Sequence, residues 1–135
     1  AVEMGLKPDD VEMIRTAGLF HDIGKVGVPD AILLKNGPLT SDEYAQIKQH
    51  PVAGEKVLST YSPFSEMLPI VRGHHERIDG SGYPDNLVGK DIPYGARILH
   101  VCDVFAALTM ASVFIRTMSP FTIETLSIQS ASFCV

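Results

Sequence analysis

Along most of the chain, apolar residues recur at helical rather than strand spacing. Val11, Ile14, Gly18 and Leu19 form one such row, and Asp9 or Asp10 ahead of them predicts a capped helix that ends at His21 and Asp22. Gly24 of "HDIGK" breaks that helix, and Gly27, Pro29, Gly37 and Pro38 mark the stretch around "AILLKNGPL" as loop with at most a short helical turn. "TSDE" then sets Thr40 as N-cap with Glu43 three residues on, a capping box opening a helix with Tyr44, Ile47 and His50 on one face. Pro51 suits the first turn of the next helix, "PVAGEKVLS", where no amide partner is required. Between Ser65 and Glu76, the residues Met67, Ile70, Val71, His74 and His75 predict another helix whose apolar stripe the histidines prolong. Beyond a glycine-rich loop, "IPYGARILHVCDVFAALTM" predicts a long buried helix in which Leu99, Asp103 and Ala107 share a face. Strand patterns are weak throughout, and the expected fold is an all-α helical bundle.

Composition narrows the choices. The 135 residues, 45% of them hydrophobic, bury one sizeable core, so a single domain is expected. A formal charge of −5 argues against a nucleic-acid polymer as partner, since that requires a basic face. Cys102 and Cys134 make no disulfide framework, which favours a reducing compartment, and the expected location is cytoplasmic. The first residues lack the basic start and apolar run of a secretory leader, and the apolar stretch 104–115 falls short of the roughly 20 residues of a spanning helix. The closing "SPFTIETLSIQSASFCV" turns Ser/Thr-rich. The expected organisation is therefore a domain over 1–118 and a divergent tail over 119–135, helical at first and then poorly ordered.

The chemistry gathers on His21 with Asp22, His50, His74 with His75, and Asp103, each at the inward face or end of an expected helix. Imidazole and carboxylate together suit iron, manganese, zinc or cobalt better than calcium or magnesium. That many ligands exceed the needs of one ion. Neighbours on a helix diverge by about 100°, so His74 and His75 can serve two metals, and an aspartate such as Asp22 can bridge them. A single buried histidine is more often a hydrogen-bonded core residue, so His50 carries weight only through the joint pattern. Asp103, inside the apolar "HVCDVF", needs a neutralising partner, either metal or Arg97. His100 has no such context and is read as a structural or surface histidine. Gly80, Gly82 and Pro84 shape a tight loop that carries Tyr83, with Glu76 and Asp79 pinning it.

In order along the chain, "HDIGK", "HP" with Gly54, "HHERIDGSGYP" and "ILHVCDVFAAL" resemble the HD-GYP domain, a subgroup of the HD phosphohydrolase superfamily, from Leu6 to Leu108. The resemblance implies an all-helical, metal-dependent phosphodiesterase that hydrolyses cyclic di-GMP to linear pGpG, GMP or both. It implies His21, Asp22, His50, His74, His75 and Asp103 as ligands of two divalent transition metals, iron or manganese, with Asp22 bridging. Asp22 and Lys25 would be catalytic, Lys25 placing a cation beside the phosphate oxygens. Lys25, Tyr83 and Arg116 would contact substrate. A receiver or sensory domain is the expected fused partner. This sequence departs from the family in two places: no ligand is found upstream of His21, and Ala106 and "SVFI" replace an acidic residue and an "RPYR"-like string beyond Asp103. Those departures keep two other readings in play, a metal- or nucleotide-binding signalling module without turnover and a phosphohydrolase of another phosphoester.

Overall fold

The computed structural model describes residues 1–117, with side chains through Thr109; the boundary at 118 and the tail lie outside the described residues. The architecture is all-α: α1 (Pro8–Phe20), α2 (Asp30–Leu33), α3 (Ser41–Ile47), α4 (His50–Leu58), α5 (Leu68–Gly73) and α6 (Tyr94–Thr117), joined by short 3-10 turns such as Ile23–Gly27 and Ser62–Met67. Among the described residues the sole β pairing is an isolated bridge between Asp79 and Val88.

Local chemistry explains most helix starts. The Thr40 side chain accepts from the Glu43 amide and the Glu43 carboxylate accepts from the Thr40 amide, so the expected capping box opens α3. At α1 the expected cap is corrected: Lys7 is the N-cap with no side-chain bond, Pro8 occupies the first turn, and Asp9 and Asp10 lie inside it. There their carboxylates favour the positive end of the helix dipole instead of capping it.

One core lies between α1, α4, α5 and the first half of α6, built from Ala17, Leu58, Met67, Ile70, Val71, Ile92, Ala96 and Leu99. Met13, Ile14 and Phe20 carry α1 into it, whereas Leu19 is 77% exposed and leaves the row expected of it. A smaller cluster of Val28, Ile32 and Ile47 ties α2 to α3.

The expected helix from Ser65 to Glu76 is shorter than its pattern. A 3-10 turn occupies Ser62–Met67, and α5 ends at Gly73, so His74 caps the helix and His75 lies beyond it. The expectation of a wholly buried last helix also needs correction. Leu99 is buried and Asp103 and Ala107 are half-buried on the expected face, but Val101, Phe105 and Leu108 are exposed.

Candidate metal centre

The site forms where helix ends meet. The last carbonyls of a helix have no intrahelical donor, and a histidine just past the end can supply one. His21 Nδ1 donates to the Gly18 carbonyl at the end of α1 (2.8 Å), and His50 Nδ1 to that of Ile47 at the end of α3 (2.8 Å). His74 Nδ1 donates to the Val71 carbonyl at the end of α5 (2.7 Å). A carbonyl only accepts, so each bond places a proton on Nδ1 and turns Nε2 toward the centre. The negative ends of the same helices face that centre, which favours a cation there.

The inward atoms converge. Asp22, His50, His74 and His75 each offer a ligand atom, and these atoms lie within 4.8 Å of one another. His50 Nε2 is 3.3 Å from Asp22 Oδ1 and 3.3 Å from His74 Nε2. With both Nδ1 atoms committed to carbonyls, the facing Nε2 atoms are the ones able to turn to a cation, and a set of imidazoles with a carboxylate fits a divalent transition metal. His21 Nε2 completes the rim, 3.4 Å from Asp22 Oδ2 and 3.6 Å from Asp103 Oδ1.

The electrostatics run the same way. Burial is the main cause that pushes the His74 imidazole down to about 4 and that of His75 down to about 2, so both rings are neutral at pH 7. His21 is raised, chiefly by its hydrogen bond with Asp103. Burial opposes ionisation of Asp22, but bonds from His50 and Lys25 outweigh it and hold the carboxyl well below the usual range. Lys25 Nζ donates to Asp22 Oδ2 at 2.7 Å. Asp103 is paired with His21, not with its alternative partner Arg97, which lies over the Tyr94 ring.

Two glycines make this packing possible. A Cβ on Gly24 would lie 1.9 Å from the His50 carbonyl oxygen and 2.5 Å from the Gly54 amide nitrogen, so the "HDIGK" turn can sit against α4 only with glycine there. Gly82 is similar: a Cβ would meet the Arg77 amide nitrogen at 2.3 Å and the His75 oxygen at 2.6 Å. Its role is close approach, whereas Gly80, at φ +79°, meets the conformational requirement expected of both.

The loop so folded brings Tyr83 onto the site. Its amide donates to the His75 carbonyl (3.2 Å), and its ring stacks on that of His75 at 4.8 Å. As expected, Glu76 pins the loop, its carboxylate accepting from the amides of Asp85 (2.6 Å) and Leu87 (2.9 Å), while Asp79 accepts from Ser81. Arg72 was not anticipated: it donates to both Asp85 oxygens, at 2.6 and 2.7 Å, and to Glu55 of α4 at 2.6 Å.

A cavity of about 240 Å³ opens beside the centre, with His75, Asp103, Tyr83, Lys48, Arg77 and His100 among its walls. Sequence reasoning passed over Lys48 and Arg77. His100 is structural in one sense, donating from Nδ1 to the His74 carbonyl (2.8 Å), but its position three residues before Asp103 also turns it to the cavity. The side chain of Arg116 lies outside the described residues.

Comparison with known proteins agrees with this architecture. A family model described as HD domain matches residues 1–125. The cyclic di-GMP phosphodiesterase response regulator RpfG of Xanthomonas campestris is 47% identical over 113 residues, 82% of this chain and 30% of its own length. A cyclic di-GMP phosphodiesterase of Thermotoga maritima is 46% identical over 110 residues, 80% of this chain and 30% of its own. The 3'3'-cGAMP-specific phosphodiesterase 2 of Vibrio cholerae is 42% identical over 106 residues, 77% of this chain and 20% of its own. The chain thus spans less than a third of the length of these relatives. By its motifs, its helical architecture and these matches, the chain belongs to the HD domain family, in its HD-GYP form.

Proposed function

We propose that this chain is the catalytic domain of a cytoplasmic, metal-dependent phosphodiesterase that hydrolyses cyclic di-GMP to linear pGpG, GMP or both. The observation that carries the reading is the convergence of Asp22, His50, His74 and His75 within 4.8 Å, with Nδ1 protons held outward on helix-end carbonyls. His21 and Asp103, at the rim of this set, would join it in holding two ions, iron or manganese, with Asp22 as the shared ligand. Divalent metals held there supply Lewis-acid polarisation of a phosphoryl oxygen and acidify water enough for it to act as a nucleophile near neutral pH.

The chain's own residues supply the rest. Lys25 fixes the Asp22 carboxylate and keeps a cation where the non-bridging oxygens gather charge. Tyr83, stacked on His75 at the cavity wall, offers a ring and a hydroxyl to substrate, and Arg116 is a further proposed contact. Hydrolysis adds water across one phosphodiester: a new P–O bond forms, the bond to the ribose 3′ oxygen breaks, and that oxygen takes up a proton. Relatives named as a response regulator and as cyclic di-GMP phosphodiesterases support a fused receiver or sensory domain and this substrate.

A second substrate, 3'3'-cGAMP, is favoured by relatives named as specific for it. The test is hydrolysis of both cyclic dinucleotides by iron- or manganese-loaded protein, with products separated by chromatography. Cleavage of cyclic di-GMP is expected; intact substrate with two ions bound per chain would overturn the reading in favour of a signalling module without turnover. Faster cleavage of 3'3'-cGAMP would move the assignment to that substrate.

A further inference from the structure

Arg77 and Arg97 contrast with Arg72. The Nε of each is shut off from solvent and has no hydrogen-bond acceptor among the described residues, although Arg77 Nε lies 3.7 Å from Asp79. Neither guanidinium is therefore tied to the protein through a hydrogen bond at Nε, and although that enclosed atom cannot itself touch a ligand in a cavity, the outer N–H groups of a guanidinium are built to hold a phosphate or carboxylate. Both side chains border a second cavity of about 440 Å³, whose walls also include His100, Val101 and Ile78. Arg77 and His100 are common to this cavity and to the one at the metal centre, so the two adjoin across that pair. Of the carboxylates on the same wall, Glu76 is occupied by the amides of Asp85 and Leu87, and Asp79 by the amide and hydroxyl of Ser81 with Arg77 as a longer ion-pair partner, while no carboxylate pairs with Arg97 among the described residues.

We propose that Arg77 and Arg97 form a second phosphate subsite, which takes the distal phosphodiester of a cyclic dinucleotide while the other phosphodiester lies at the metal centre. This assignment rests on the phosphodiesterase reading and deepens it. The near cavity, at about 240 Å³, is below the roughly 300–1,000 Å³ typical of small-molecule sites, and a two-nucleotide substrate needs the adjoining space. It carries a negative charge on each phosphate, and in a chain of net charge −5 the distal one requires a local cation. The exposed Ile78 and Val101 give the far cavity an apolar rim suited to a ribose or base edge.

The experiment compares cyclic di-GMP with bis(p-nitrophenyl) phosphate, a diester too small to span both cavities, in the metal-loaded wild type, Arg97→Gln and Arg97→Lys. The ratio of kcat/KM for cyclic di-GMP to that for the small diester is expected to fall about tenfold in Arg97→Gln, mainly through KM, and less in Arg97→Lys. Equilibrium dialysis with a hydrolysis-resistant phosphorothioate analogue of cyclic di-GMP gives a readout independent of turnover: the analogue binds about tenfold more weakly to Arg97→Gln, whereas GMP, with a single phosphate, changes little. An unchanged ratio with unchanged dinucleotide binding overturns the subsite. So does a loss of GMP binding in Arg97→Gln without loss of dinucleotide binding, which would assign the pocket to a free nucleotide. Failure of the wild type to cut either diester would defeat the phosphodiesterase reading instead, with the dialysis result still deciding the subsite. Arg77→Gln, on the other side of the cavity, should reproduce the shift if Arg97→Gln fails to fold.

Discussion

His50 and His74 are 1% and 0% exposed, each locked by a helix-end carbonyl, while Asp103 across the site keeps 31% of its side chain exposed and has one histidine as partner. The first wall grows from the core. Gly24 presses the "HDIGK" turn onto α4, and Val71 and Ile70 fix α5 beneath His74. The second is carried by α6 just past Leu99, where the core ends and apolar residues such as Val101 and Phe105 turn outward. The contrast teaches that preorganisation here is a property of position relative to the core. Candidate ligands are held firmly on one side and lightly supported on the other.

That difference orders the expected effects of mutation. The largest is Gly24→Ala: its methyl group meets backbone on α4, which cannot yield as a side chain end can, and a loss of about 3 kcal/mol or more is expected. Chemical denaturation measures it, and a near-neutral result would show that the first wall is pliable. Next is His74→Ala, expected to weaken metal binding more than about a hundredfold, since losses at outer-shell partners alone cost 10–100-fold. Metal titration followed by elemental analysis checks this. Asp103→Asn in the same titration should cost about tenfold, because the lightly held carboxylate gives less and keeps an oxygen. Equal losses for the two variants would break the comparison.

Smaller effects probe the GYP loop and the exposed face of α6. Hydrogen bonds from Arg72 hold the Asp85 carboxyl below its ordinary range. The unfolded chain therefore binds this proton first as pH falls, so the stabilisation is complete above about pH 4 and drains away below it. Asp85→Asn should cost about 1 kcal/mol at pH 7, a figure already reduced for solvent screening, and the gap to wild type should close in more acidic solution. Thermal melts across pH test it. Last, Val101→Ser should change stability by no more than about 0.5 kcal/mol, because the side chain is exposed. A larger loss on denaturation would show that this face is packed in solution.

Much of this was legible before any coordinates. The capping box at Thr40 was readable because both partners are local, three residues apart. The candidate ligands stood out because imidazole and carboxylate are rare in apolar surroundings and the "HHERIDGSGYP" string is long. Helix limits were less readable: the stripe from Met67 through His75 continues past Gly73, yet α5 stops there and the loop turns away under the pull of Glu76 on the amides of Asp85 and Leu87. Leu19 was misplaced for a related reason. Periodicity defines a face but not which neighbour will cover it.

The sequence by itself determined the helical class, the family and the identity of the candidate ligands, because each is written in residue type and short spacing. Only the tertiary structure decided which nitrogen of His21, His50 and His74 points inward, that every Arg72 nitrogen meets a carboxylate while the Nε atoms of Arg77 and Arg97 have no hydrogen-bond partner among the described residues, and that the cavity beside the metal centre shares two lining residues with a second one. Those properties depend on which carbonyl, carboxylate or open space stands opposite a side chain, and elements far apart in the chain supply it.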